Sequence, residues 1–240
     1  TILVKTNLMK FIYSFLFIAA FVSISMAQLG FDIAAKGQVN STWLFNQNIS
    51  DQGKEQDYAP SWGSNYGLGF GLRMGFFSVG LETNFGAHNA EYAGEILSQS
   101  YTSTVNLKTF QLPIYLRFQN KGGAYFELGA QYNKIRSAMY TREGLFPAAM
   151  DKSGDYVKSY SNAFIGFGIN RKILKSVPLG IIFGLRLQYG IKDAKGVDAY
   201  GNSLSNSLLY PDYHKTRAAA AGLNFGFVYT IDTKEKESGY

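Results

Sequence analysis

Two glutamates, Glu82 and Glu127, and three arginines, Arg73, Arg117 and Arg186, are the residues of this sequence best placed to do chemistry. Each lies in a segment where apolar and polar residues alternate, and each falls on the polar side. Two carboxylates that a substrate can reach support acid–base hydrolysis. The same groups enclosed with cations form ion pairs, because a buried unpaired charge costs several kcal/mol. The reading adopted is the second: Arg73, Glu82, Arg117, Glu127 and Arg186 form a polar network inside the protein, each glutamate pairing with some of the arginines. Asp32 and Lys36 fall on the same side of their segment.

Other reactive groups are sparse. His88 and His214 are the two histidines, and there is no cysteine. Ser203, Ser205 and Ser207 lie near His214 in sequence, but a serine nucleophile needs a base and an orienting group within hydrogen-bond reach. Two histidines without clustered acids make no metal site. The glycines at 67, 69 and 71, and those at 166 and 168, alternate along strands and do not form a phosphate-binding loop. No catalytic residue, cofactor or metal is assigned, and the chain is not expected to be an enzyme. The net charge of +6 is dispersed, which points away from nucleic acid.

The elements carrying these residues share a period of two. Leu68, Phe70, Leu72, Met74 and Phe76 line one side of a segment, and Gly67, Gly69, Gly71, Arg73 and Gly75 the other. That period is a strand between two different surroundings. Eight such segments are predicted. Polar stretches at 46–61, 92–102, 139–155 and 192–215 alternate with brief connections near 76–77, 120–123 and 171–177. Short periplasmic turns and longer extracellular loops mark outer-membrane barrels. A soluble barrel turns its apolar side inward; here the inner face reads as Gly, Asn, Gln, Glu and Arg, and the outer face as Leu, Phe and Ile. With the apolar side outward in water, the exterior would be one contiguous apolar patch, which soluble monomers avoid. The predicted fold is therefore all-β: an eight-stranded antiparallel up-and-down transmembrane β-barrel, with long extracellular loops and short periplasmic turns.

Trp43, Phe45, Trp62 and Tyr66 fall near the outer rim of that barrel, and Phe76, Phe77, Phe118 and Tyr125 near the inner rim, as two aromatic girdles. An apolar run at 11–24, preceded by Lys10 and followed by Ser25, Met26 and Ala27, has the order of a secretory signal. Residues 1–27 are read as this signal with the residues before it, 28–232 as the barrel, and 233–240 as a charged periplasmic tail. Both termini of an even-stranded barrel then face the periplasm.

One stretch goes beyond pattern. TFQLPIYLRF at 109–118 resembles the YLEIPLLLKY strand of the PorT-like outer-membrane β-barrel family of Bacteroidetes, proline included. AYFELGA at 124–130 is similar to that family's next strand, with an acid followed shortly by glycine. The resemblance implies architecture and an outer-membrane location. The family's name-giving member belongs to a secretion machine, and no function is carried over from it. The expected role is a non-enzymatic structural or accessory subunit of an outer-membrane assembly for secretion or uptake. Its expected partners are outer-membrane lipid, lipopolysaccharide and another outer-membrane protein complex. A free-standing barrel supporting membrane integrity and a lipid-modifying enzyme are the alternatives.

Overall fold

A computed structural model describes residues 29–144, 146–173 and 177–232. The expected signal (1–27) and tail (233–240) lie outside the described residues. Eight long strands form the wall: β1 (Leu29–Phe45), β3 (Trp62–Met74), β4 (Phe77–Ile96), β5 (Gln99–Gln119), β6 (Ala124–Gly144), β8 (Ser159–Lys172), β9 (Leu179–Gly190) and β10 (Arg217–Asp232). Each pairs antiparallel with its neighbours, and β1 pairs with β10, so the sheet closes on itself without a free edge. Two short strands, β2 (Asp57–Ala59) and β7 (Ala148–Asp151), add to β4 and β6 outside the ring. A one-turn helix, α1 (Gln47–Ser50), starts at Asn46, whose side chain accepts from the Asn48 amide.

The exterior is a belt of exposed apolar side chains. Phe31 and Ile33 on β1, Phe70 on β3, Ile114 on β5, Phe183 on β9 and Phe225 on β10 are each 44–54% exposed. In water such a surface is untenable; in a bilayer it is the required one. Lipid also permits no unpaired edge, which the closed ring satisfies.

Two of the expected loops are something else. The connection expected at 92–102 is a two-residue turn, Leu97 and Ser98, both at positive φ, capping a ladder that runs from Phe77↔Phe118 up to Ile96↔Gln99. Likewise β6 runs on to Gly144, and β7 folds back beside it. Strands β4, β5 and β6 thus rise well above the apolar belt.

Above the belt the wall turns inside out. On β5, outward Phe110, Leu112, Ile114, Leu116 and Phe118 give way to outward Thr102, Thr104, Asn106 and Lys108. Inward Thr109, Gln111, Tyr115 and Arg117 give way to buried Tyr101, Val105 and Leu107. The change falls at a register shift between Lys108 and Thr109, where Arg136 is the extra residue on β6. Once a strand leaves lipid its outer side must be wetted, so its apolar side chains can be buried only within.

Pro113 stands inside β5, where a proline normally argues against a strand because it has no N–H to give the ladder. The ladder to β6 continues through Pro113↔Gln131, while the ladder to β4 breaks between Leu81↔Ile114 and Asn84↔Gln111. The missing donor is absorbed by that short gap.

Candidate functional site

The barrel interior has three levels. At mid-height lies the charged network. Arg186 donates to Glu82 at 3.0 and 3.1 Å and to Glu127 at 3.0 and 2.7 Å. Arg117 donates to the other Glu127 oxygen through Nε (3.1 Å) and Nη2 (2.7 Å). Lys36 donates to Glu82 and, at 3.3 Å, to the Tyr115 hydroxyl. Asn84 adds a bond of 3.3 Å to Glu82. Glu82, Glu127, Arg117 and Arg186 are all buried. Charge-assisted, multidentate bonds of this kind are what make buried ions tolerable.

Three cations face two carboxylates, and aromatic rings take up the excess. The Arg117 guanidinium lies 4.3 Å from the Tyr125 ring centroid and 4.9 Å from that of Tyr115. Arg186 lies 4.4 Å from the Phe164 ring. Cations over ring faces are favoured most where water is excluded. Bare backbone makes room for these side chains. A Cβ on Gly80 would come within 2.2 Å of the Tyr115 ring, and one on Gly184 within 2.3 Å of the Tyr125 hydroxyl. The cavity left beside the network holds only about 10 Å³.

Above this level is a layer of amides. Asn65 donates to Gln111 (3.2 Å), Gln111 to Thr109 (3.0 Å) and Gln131 to Asn133 (2.6 Å). His88 is buried inside the wall beside the Trp43 carbonyl at 3.0 Å. It stands edge-on to Tyr160, their ring centroids 6.4 Å apart.

The third level is an apolar dome at the loop end, built from Leu44, Ile49, Tyr92, Val105, Leu107 and Tyr140 among others. The loop at 191–216 folds down into it. Ser103 and Tyr140 donate to the Ala199 carbonyl at 2.8 and 2.9 Å, and the Ala199 amide donates to Gln56 at 3.0 Å. Buried Asp198 ties the loop, accepting from the Tyr200 and Asn202 amides, both at 2.8 Å, and from the Tyr210 hydroxyl at 2.5 Å. Burial, then the bond to Asp198, raises the Tyr210 hydroxyl well above the usual tyrosine range. Tyr156 in the preceding connection is raised by burial too. Tyr140 and Tyr210 thus help to plug the loop end.

The structure redistributes several expected site residues. Arg73 does not join the network: it pairs with Asp232. It sits four residues toward the turn end from Gly69, the register partner of Glu82, about 13 Å along the strand. Arg73 and Asp232 are instead the two register partners of Gly30, and they meet across that residue's missing side chain. Lys36 takes the place expected of Arg73. Tyr125 is not on the exterior with the girdle residues. It is buried under Arg117, because its position on β6 shares the inner side with Glu127. Trp62 (64% exposed), Tyr66 (70%) and Phe76 (71%) do face outward. Phe77 packs its ring 5.5 Å from that of Phe118, and Trp43 stacks 6.0 Å from Phe45. Among the described residues no hydrogen bond joins His214 to Ser203, Ser205 or Ser207; the His214 carbonyl accepts from Asn46 at 2.9 Å.

At the turn end, an open cavity of about 460 Å³ is lined by Arg73, Lys121, Asn170, Arg171 and Lys172. Its cations are partly answered by Asp232, which also lies 3.7 Å from Lys172.

No family model and no curated protein matches this chain. Among solved structures it is similar to Neisserial surface protein A (10% identity, 84% of this chain and 96% of that one, TM-score 0.37). It is also similar to Ail of Yersinia pestis, solved with the heparin analogue sucrose octasulfate (9%, 83% and 99%, TM-score 0.38). A third is the outer membrane protease OmpT of Escherichia coli (9%, 85% and 97%, TM-score 0.38). Likenesses this distant say nothing of activity, and the assignment of the fold rests on the closed ring of strands and its apolar belt.

Proposed function

We propose that this protein is an outer-membrane barrel, loop end outward, which acts as a non-enzymatic structural or accessory subunit of an outer-membrane assembly. The observation carrying this reading is that side chains occupy the lumen from mid-height to the loop end. A saturated ion network, an amide layer and an apolar dome occupy successive levels of the lumen. Glu82 and Glu127 have every oxygen engaged by Arg117, Lys36, Asn84 or Arg186. Carboxylates held in this way have neither the access nor the free lone pairs that hydrolysis requires. Function then belongs to the outside of the molecule, to the dome and the lipid-facing wall. The PorT-like resemblance of β5 and β6, and a role in secretion or uptake, belong to the same proposal.

The test is purification of the tagged protein from its own membranes in mild detergent, with mass spectrometry of what accompanies it. Stoichiometric recovery of a second outer-membrane protein is the expected result; a lone monomer favours the free-standing barrel. Orientation is tested separately. The chain has no cysteine, so Leu208→Cys in the dome loop, where the side chain is 92% exposed, should react with an impermeant maleimide on intact cells. Lys121→Cys at the opposite end should not.

A further inference from the structure

The apolar belt is not uniform around the barrel. On the β10–β1–β3–β4 side it carries an open groove of about 700 Å³, lined by Val39, Leu68, Thr83, Phe85, Phe225 and Phe227. Its far wall is Phe85, whose ring packs 5.2 Å from that of Phe110 on β5. Beside and just above that pair, where the wall turns inside out, three exposed cations point outward from adjacent strands: Lys108 on β5, and Lys134 and Arg136 on β6. Lys134 is the register partner of Phe110, and Lys108 that of Ala87 on β4. Arg136, the extra residue of the bulge, reaches back across β5 to place its guanidinium 5.8 Å from the Phe85 ring. None of the three is in an ion pair among the described residues, and none of their ladder partners is acidic. Tyr66, the register partner of Phe85 on β3, lines the groove beside it and is 70% exposed.

We infer that the groove and the cationic shelf form one site for a phosphorylated lipid of the leaflet at the loop end. An acyl chain lies along the groove and ends at Phe85. The phosphate sits on Lys108, Lys134 and Arg136. The physical warrant is the juxtaposition of two features that each fit half of such a molecule. An apolar groove in a lipid-facing wall takes a chain, and unpaired cations at the boundary attract an anionic head group. The bulge matters because it puts a guanidinium, which grips phosphate oxygens in pairs, on the shelf beside two ammonium groups. The inference deepens the proposed function by naming its lipid partner, a phosphorylated glycolipid if the loop end faces outward.

The experiment is native mass spectrometry of the folded, heat-modifiable barrel in neutral detergent, titrated with diphosphoryl lipid A. Phosphatidylcholine and inorganic phosphate are titrated in parallel. One lipid A per barrel is expected, held about tenfold or more tightly than phosphatidylcholine and weakened by salt. K108Q/K134Q/R136Q should lose that margin, as should Thr83→Trp, which fills the groove and leaves the charges untouched. K54Q/K192Q, which removes as many cations as two of the three but elsewhere, should not. Equal retention of phosphatidylcholine, or unchanged lipid A binding in the shelf variant, overturns the site. So does inorganic phosphate binding as tightly as lipid A, which would make the shelf an anion patch with no use for the groove. Micelle binding does not depend on which way the barrel faces or on any protein partner. A failed co-purification or reversed labelling therefore leaves this result standing, and the reverse holds too.

Discussion

Arg186 and Glu127, 59 residues apart in the chain, are joined by two hydrogen bonds of 3.0 and 2.7 Å at the middle of the barrel. The same guanidinium also holds Glu82, so among the described residues Arg186 is the one that connects both carboxylates. Its removal leaves Glu127 with Arg117 and Glu82 with Lys36, two half-answered acids in a dry interior. Arg186→Gln should destabilise the folded barrel by about 3–5 kcal/mol, the usual consequence of breaking a buried pair. Heat-modifiable mobility and urea unfolding in lipid vesicles would measure it. Glu127→Gln should cost less in the Arg186→Gln background than alone, since the two act in one network. An Arg186→Gln barrel as stable as the parent would refute the network's structural role.

Glycine at position 80 is a second point of control. Any side chain there meets the Tyr115 ring, which itself lies against Lys36 and Arg117. Gly80→Ala should destabilise by about 1–3 kcal/mol through overpacking. Tyr115→Leu in the same chain should recover part of that loss in the same unfolding assay.

The dome depends on Asp198. Asp198→Ala removes the acceptor for two amides and the Tyr210 hydroxyl at once. The loop at 191–216 should then become the first site of limited proteolysis, with the wall strands still protected. Cleavage within β9 or β10 at a comparable rate would show that the loop and wall do not separate in this way.

Alkali should open the dome before the wall. Tyr156 and Tyr210 are held neutral by burial, so ionising them in place is harder than ionising them in an unfolded chain. Below the ordinary tyrosine value near 10 both states are neutral and this contribution is constant. As pH rises past about 10 the unfolded chain loses protons that the folded one keeps, and stability falls. Phenolate absorbance should therefore rise in two phases, the later one coinciding with protease sensitivity of the dome. A single phase at the ordinary value would contradict the burial.

Much of this could be seen in the sequence, and the reasons for the misses are specific. Arg117 and Glu127 are register partners across a four-residue turn, so their pairing follows from the hairpin alone. The choice between Lys36 and Arg73 does not. It depends on how far each strand is staggered around the closed ring, which no single segment reveals. For Tyr125, an aromatic residue near a strand end suggests a girdle, whereas its parity with Glu127 puts it inside. The dome had a signal too. Alternation persists through Tyr101, Ser103, Val105 and Leu107, with its apolar members shifted by one from those that begin at Phe110. A change of phase within a continuing period of two marks a strand leaving one solvent for another, and the polar composition of 92–102 hides the far end of that strand.

That change of phase also acts as a waterline. On β5 the outward apolar run is bounded by Phe110 and Phe118, nine positions that at about 3.3 Å each and the usual tilt rise roughly 20–25 Å. One step higher the outward residue is Lys108 and the inward ones are apolar. The barrel therefore has almost no freedom to ride up or down in its membrane. Sinking by one residue pair would submerge a charge, and rising by one would bring Phe110 into water. A protein so gauged is matched to one thickness of bilayer, and in a thicker or thinner one it is the lipid around β5 and β6 that must adjust.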